Sequence, residues 1–560
     1  MLLTRRRILG ITAAAAVAVR LLFLLEWVDS PYRCFHRVPG LDMETLLRMS
    51  EWGGGANFPP IFTFHRVLIH LIWRFHGFRH SVEALFAVQS LLGVAAAVLV
   101  ADLALTLYRK RGAALVVGLV AASYVPFLFY EFAVLQESST LFLVLAAFWL
   151  LLKARRRAFA PRRSLAAGAA LAFASLGRPV VLLFALAALP WGAVWLRRKK
   201  LPPRRLAPLA AGLALVFGLA ALFNGIANGD PSPFFKVMPH ALSAEAGNVA
   251  RTEAAPSPES GWNALAERDL IGVLCYLLPL EFPENLNCTY LCRKFSVTDY
   301  LPGLRLVMLF ALPGLFLLFN SGEWRRRPGW LLLPLVTLIL PLAARGPIER
   351  YRLIMIPYFM LAIPMFFQLK HRRVLRLTGA VVFTVAFCYC FLPNCISNRV
   401  RDAADNFTWA LAAEARNGGI PDEETLDHMQ RAWYRYSDET KYPVSLALRL
   451  LKLGDTAAAE AVLTSAAYGD ERPAPVCRYY LGVLRFERGD FAAAEEELAE
   501  SIPEKLPESL RFKYFFMRSE CAARRGDTAA AADFARRALA LPGGTSAMRT
   551  LLQRRLPPAH

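Results

Sequence analysis

The chain has 560 residues, 56% hydrophobic and only 19% charged, with a mean hydropathy of +0.36; soluble proteins carry about a quarter charged residues, so a wholly soluble globular chain is excluded. A formal net charge of +21 suggests nucleic acid, but residues 1–400 hold 43 Lys/Arg against 20 Asp/Glu and residues 401–560 hold 22 against 24. The basic excess falls in short clusters between apolar runs, as membrane topology requires, and no stretch interleaves basic patches with aromatics as a nucleic-acid groove does, so nucleic acid is not an expected partner.

About 20 apolar residues in a helix cross a bilayer core, and such runs alternate with basic clusters along the chain. Arg5, Arg6 and Arg7 precede the run Ile8–Leu25, which predicts a cytoplasmic amino terminus. The phrase TRRRILG resembles a twin-arginine export signal, but the spans that follow favour an uncleaved first helix. A first outer segment covers 26–81. Within it, IFTFHRVLIHLIWRFHGFRH reads as an amphipathic helix on the outer surface, because counting it as a span would reverse the side of every later cluster. Its His65, His70, His76 and His80 do not share one helix face, apart from the pair His76 and His80, so no metal site is expected there.

Val82–Tyr108 returns to Arg109–Arg111, Ala113–Tyr130 goes out, and Glu137–Leu152 comes back to a cluster at 153–163. Leu165–Leu176 and Val180–Leu196 form the next pair, ending at Arg197–Lys200, and Leu206–Ala227 leads to a polar outer segment at 228–300. Leu301–Asn320, Trp330–Ala343, Leu353–Leu369 and Val374–Leu392 complete eleven spans. Arg20 and Asp102 are the charges read as lying well inside spans, and a mutual pair would satisfy both.

Beyond Arg399 the composition turns Ala- and Glu-rich, and GDTAAAE at 454, GDFAAAE at 489 and GDTAAAA at 526 repeat at spacings of 35 and 37. That is near the 34-residue tetratricopeptide period, in which Gly-Asp turns the chain and small residues let the second helix pack on the first. The middle copy fits best, with Leu481 and Gly482 in its first helix and Ala494 and Leu498 in its second. The expected fold is all-α: a polytopic membrane bundle over 1–398, then a soluble α-solenoid of tetratricopeptide-like hairpins over 399–560. A solenoid's concave face commonly binds a polypeptide, so a protein partner on the repeats is a reading to set beside a plain helical cap.

Ionisable residues in or beside the bilayer are expensive unless they work or are paired. VPGLDMETL puts Asp42 and Glu44 two residues apart, a pair suited to acid–base work or to a shared divalent cation, or else two solvated loop acids. Glu137, after Gln136, opens a span; Arg178 sits in a Gly-Arg-Pro break; and RGPIERYRLIMIPYFMLAIP crowds Arg345, Glu349, Arg350 and Arg352 at an outer mouth. Outer arginines oppose the positive-inside preference and match phosphate oxygens with paired donors, unless they only snorkel to lipid head groups.

In this order along 8–395, the acid Asp42, the span ESSTLFLVLAAFWLLLKARRR, the helix RRSLAAGAALAFASLGRPVVLLF and the phrase ERYRLIMIPYFMLAIP together resemble the GT-C superfamily of integral-membrane glycosyltransferases. Within it the likeness is to the protein O-mannosyltransferase and aminoarabinose lipid A transferase branch, whose bacterial members often end in tetratricopeptide repeats. The resemblance implies an enzyme of the bacterial inner membrane, with its amino terminus cytoplasmic and its repeats periplasmic. It would transfer a sugar from a polyprenyl-phosphate carrier to an acceptor hydroxyl, with inversion. Asp42 would be the general base, Glu137 would orient Asp42 or the sugar, and Arg350 and Arg352 would bind the donor phosphate, with Arg178 and Arg345 as further cations. No cofactor is required with a monophosphate carrier, whereas pyrophosphate carriers use a divalent cation, which the Asp42 and Glu44 pair keeps open. Two departures bear on donor identity: Asp-Met-Glu replaces adjacent acids, and the second acid is a lone Glu137.

The segment at 228–300 would cover the site. Its Cys275, Cys288 and Cys292, with Cys34, leave a bridge open in an oxidising compartment, connectivity unassigned. Two other readings stand. An O-antigen ligase or polymerase would need arginines in a large central outer loop, where 228–300 offers only Arg251, Arg268 and Arg293. A non-catalytic scaffold would recruit partners through the repeats. A transporter is disfavoured because no span holds interior acid–base pairs.

Overall fold

Thr4 caps the first helix, α1 (Arg5–Trp27), by accepting from the Arg7 backbone N–H, and the apolar run behind it continues for 23 residues. The computed structural model describes residues 4–50, 65, 68–69, 71–72, 81–228, 286–320, 330–343, 352–367, 378–379, 381–383, 385, 399–437, 439–469 and 475–556. Regular structure among these residues is helical throughout, and the chain divides into unit 1, Met1–Ile396, and unit 2, Ser397–His560.

In unit 1, α1 leads through a 3-10 helix (Pro31–Arg37) to α2 (Asp42–Ser50). Then come α3 (Ser81–Tyr108), α4 (Arg111–Ser123), α5 (Val125–Glu131), α6 (Glu137–Arg156), α7 (Pro161–Gly177), α8 (Val181–Arg198) and α9 (Ala207–Asn228). After α10 (Cys288–Cys292) follow α11 (Leu304–Asn320), α12 (Leu332–Ala343), α13 (Ile356–Met360) and α14 (Ile363–Phe366).

Six stretches are long and apolar enough to cross a membrane: Arg5–Trp27, Val82–Tyr108, Glu137–Arg156, Val181–Arg198, Pro203–Leu222 and Ser296–Phe319. Helices α4 and α5, bent by 46° at their junction, make a seventh if the pair counts as one span. Unit 1 is therefore a membrane protein by helix length and composition. Besides that bent pair, three more of the eleven expected spans are shorter or broken: α7 has 17 residues, α12 has 12, and the Leu353–Leu369 run is split into α13 and α14, with Pro357 and Pro364 in their first turns. The Val374–Leu392 run lies mostly outside the described residues, as does most of the amphipathic segment at 61–73.

Packing follows the small residues. Helix α1 lies against α3 and α4, α3 against α6, and α7 against both α6 and α9. At the α7–α9 crossing Gly168 and Gly212 approach reciprocally. A Cβ on the first would stand 2.1 Å from the Leu209 carbonyl oxygen, and one on the second 2.2 Å from that of Leu165, the close backbone approach that small residues allow between membrane helices.

Unit 2 comprises α15 (Arg399–Arg416), α16 (Glu423–Arg435), α17 (Lys441–Lys452), α18 (Thr456–Tyr468), α19 (Pro475–Glu487), α20 (Phe491–Glu500), α21 (Glu508–Arg524), α22 (Thr528–Leu539) and α23 (Ser546–Gln553), each packed on the next. The Gly-Asp repeats turn the chain three times in one way. Gly454, Gly489 and Gly526 adopt φ of +83°, +84° and +82°, and the following Asp455, Asp490 and Asp527 N–H groups close on the Leu450, Arg485 and Ala522 carbonyls. Each aspartate then caps the next helix, its carboxylate accepting from Ala458, Ala493 or Ala530 N–H at 2.9–3.1 Å. Leu481, Ala494 and Leu498 are buried, and Gly482 leaves room for Leu498, whose Cγ would lie 2.7 Å from an added Cβ. Buried acids of this unit have arginine partners, among them Glu495 with Arg518 at 2.7 Å and Glu497 with Arg485 at 3.0 Å.

Removing one cap by Asp490→Ala should lower the stability of unit 2 by about 1 kcal/mol. The Asp490→Ala/Asp455→Ala pair should lose the sum, because the caps share no partner. Urea unfolding of the purified protein followed by circular dichroism measures both.

Candidate functional site

Tyr124 is extended (φ −68°, ψ 116°) and Pro126 occupies the first turn of α5, so the chain bends where α4 meets α5. From Tyr124 to Leu141 every residue except Gln136 is buried. A turn at this depth must satisfy its backbone from within the protein, and side chains do so. Tyr32 Oη donates to the Phe129 carbonyl at 2.5 Å, Ser138 Oγ to that of Tyr130 at 2.9 Å, Gln89 Nε2 to that of Leu135 at 2.9 Å, and Ser139 Oγ to that of Gln136 at 2.9 Å.

Two glutamates flank the turn, each tied to an arginine from another helix. Glu131 accepts from Arg20 Nε at 2.7 Å and Nη2 at 2.5 Å, and Arg20 Nη1 also donates to the Ala16 and Ala122 carbonyls. Gly93 on α3 makes room for this pair, since a Cβ there would fall 2.0 Å from Glu131 Oε1 and 2.6 Å from Arg20 Nη2. Glu137, in the first turn of α6 where the helix dipole favours an anion, forms an ion pair with Arg178 Nη2. Pro179 forces Arg178 out of the helix into an extended conformation (φ −137°, ψ 103°). The same break brings Gly177 against Thr140, whose Oγ1 lies 2.9 Å from the position of an added Cβ.

Arg20 and Asp102 do not pair with each other. Asp102 instead receives Arg5 at 2.7 and 2.9 Å, Trp149 Nε1 at 2.7 Å and Lys153 Nζ at 3.5 Å. Helices α1 and α3 run so that the start of α1 meets the end of α3. Arg20, about 22 Å further along α1, meets Glu131 instead. Glu131 is a buried charge that the sequence analysis did not single out; its signal was an acid in the middle of the apolar phrase FLFYEFAVL.

Asp42 and Glu44 lie half-buried in the first turn of α2, which packs on the 3-10 helix. That helix is clamped to the glutamate end by Tyr32, through Phe129 and the ring of Phe295. Glu26, near the end of α1, accepts from the Ser296 hydroxyl and from Val297 N–H at 3.1 Å. Arg352 is among the most buried side chains of the protein, 1% exposed. The chain after it passes Val144 at Tyr358 and Tyr108 at Leu361. Arg345, Glu349 and Arg350 lie outside the described residues, as do His70, His76, His80, Cys275 and most of 228–300. The structure thus brings Glu137 and Arg178 into contact and sets Asp42 and Glu44 on the helix packed against the Tyr32 segment, which reaches Phe129. Among the described residues no three of His, Cys, Asp and Glu stand close enough to hold a metal ion.

Compared with known proteins, the sequence matches no protein family and no curated protein.

A methyl group at Gly93 would drive Arg20 and Glu131 apart inside the protein. Gly93→Ala should cost about 3 kcal/mol, while Gly112→Ala, which meets nothing within 4 Å, should be near neutral; thermal unfolding in detergent separates them. Burial, aided by the neighbouring Arg37, pushes the His36 imidazole of the 3-10 helix from 6.5 down to about 4. Between those values an unfolded chain takes up a proton that the folded one refuses, so stability falls as pH drops from 6.5 toward 4. In His36→Gln the loss across that window should shrink, measured as Tm at pH 7 against pH 5.

Proposed function

We propose that the chain is a GT-C-like membrane glycosyltransferase that moves a sugar from a polyprenyl-phosphate carrier to an acceptor hydroxyl outside the cytoplasm, with eleven spans and a tetratricopeptide-like repeat unit. The observation that carries this reading is the Glu137–Arg178 pair, because it joins two of the phrases on which the resemblance rests, the start of one helix and the end of the next. Arg352, buried in a membrane unit where a cation is expensive, belongs to a third. No comparison with known proteins contributes to it.

In this reading Asp42 takes the proton of the acceptor hydroxyl as its oxygen attacks the anomeric carbon. The bond from that carbon to the phosphate oxygen breaks, and the polyprenyl phosphate leaves with the electron pair. Arg352 and Arg350, with Arg345, offset the charge gathering on the phosphate. Arg178 holds the Glu137 carboxylate first, and the five donors of its guanidinium also allow a phosphate contact. Glu137, so fixed, orients the sugar. A metal ion has no step here.

One observation favours the scaffold reading instead. Unit 2 has a groove of about 650 Å³ lined by uncharged residues, among them Leu426, Trp433, Tyr434, Leu450 and Val462. A groove of this kind suits a partner, with or without catalysis in unit 1.

Membrane vesicles supplied with a panel of radiolabelled polyprenyl-phosphate sugars test the proposal. Wild type should transfer one of them, and Asp42→Asn at equal expression should be at least about 100-fold slower, with Glu44→Gln slowed by less. Background incorporation by wild type across the panel would overturn the enzyme reading for those donors and favour the scaffold.

A further inference from the structure

At the opposite end of α6 from Glu137, about 27 Å away along the helix, a cleft of about 470 Å³ opens between the ends of α3, α6 and α8. Three cations line it, Arg155, Arg156 and Lys199, with Trp195 and Thr106, and among the described residues no carboxylate is part of its wall. The nearby Asp102 is already held by Arg5, Trp149 and Lys153.

The cleft is built rather than incidental. The Arg155 guanidinium lies 5.4 Å from the Trp195 ring centre and 4.7 Å from that of Trp330. Stacking occupies the faces of a guanidinium, while its donors lie in its plane. Arg156 Nη2 donates to the Thr106 carbonyl at 3.1 Å, and Phe159 packs on Trp195 with ring centres 5.9 Å apart. The backbone around it is also costly. The non-glycine residues with left-handed φ among those described are Arg109, Ala158, Phe159 and Lys200, and all four follow the ends of these helices. In unit 2 glycine fills the same kind of position; here residues with a Cβ, two of them cationic, accept a sterically unfavourable conformation. Helix carboxyl ends repel anions, so the side-chain cations must supply any anion affinity.

We propose that this cleft binds the phosphate headgroup of an anionic membrane lipid. Cations at helix ends with tryptophans at the same level suit the depth of a headgroup, and basic pockets between membrane helices hold such groups. A free phosphate shares the chemistry but would gain nothing from the apolar lining of Leu107, Leu152 and Leu201.

The test uses the full-length protein in detergent, followed by thermal unfolding during titration with phosphatidylglycerol, phosphatidylcholine or inorganic phosphate. Phosphatidylglycerol should raise Tm where phosphatidylcholine does not. Lys199→Gln should raise its half-saturating concentration about fivefold, and Lys199→Gln/Arg156→Gln by more than tenfold. Arg162→Gln, an exposed cation outside the cleft, should leave it unchanged. Equal shifts from the two lipids, or an equal weakening by Arg162→Gln, would overturn the site; inorganic phosphate matching the lipid would overturn the lipid as its ligand.

Discussion

Every buried charge in unit 1 must find its counter-charge inside the protein, because hydrocarbon supplies none, and α1 carries two such obligations. Arg5 is fixed to Asp102 near one end and Arg20 to Glu131 near the other. Two attachments about 22 Å apart set both the register and the tilt of α1 against α3 and α5. Removing Arg20 or Glu131 would leave its mate charged and buried, at a cost of about 3–5 kcal/mol, whereas Arg5 is exposed and only its partner Asp102 is buried. The aromatic cluster around Phe23, with Phe129, Phe132 and Phe295 at centroid distances of 5.0–5.2 Å, packs on a geometry those pairs have already limited.

The bend at Tyr124 follows from the same constraint. Connecting segments normally run over the surface, where water satisfies their backbone, yet the stretch from Phe132 to Leu135 is buried. Hydroxyl and amide donors from four places, Tyr32, Gln89, Ser138 and Ser139, take up carbonyls in it and on either side, those of Phe129, Leu135, Tyr130 and Gln136. Moving the turn inward draws Glu131 into the protein as well, where Arg20 and the notch at Gly93 are needed to receive it. Bend, turn and ion pair are one arrangement.

The long apolar runs could be read from hydropathy because about 20 apolar residues have few alternatives to a membrane helix, and the Gly-Asp repeats because a left-handed glycine followed by a capping aspartate is a local event. Pairing was less legible. Asp102 and Arg20 looked like partners because each stood alone in an apolar run, but depth along two antiparallel helices decides who meets whom, and Asp102 lies level with Arg5. Glu131 went unmarked because a run ending at Tyr130 left it in a loop, when the chain keeps it buried through the bend. The contact between Glu137 and Arg178 needed the α6–α7 packing, which no spacing within either phrase encodes. The shorter helices α12 to α14 carry prolines whose breaks hydropathy averages away.

The two glutamate–arginine pairs at one end of unit 1 differ in a way that bears on their use. Arg20 is 5% exposed and spends its remaining donors on the Ala16 and Ala122 carbonyls. It is sealed, and its worth is architectural. Arg178 is 12% exposed although its partner Glu137 is only 1% exposed, and it stands where a proline has ended a helix, so its charge is held at an edge of the packed interior. Leaving the arginine partly exposed spares it part of the desolvation cost that full burial would add. Keeping the arginine at the edge holds a fixed positive charge within reach of an anion while the carboxylate behind it sets its orientation. In the proposed reading that asymmetry gives this pair, and not the more buried one beside it, a part in binding the donor.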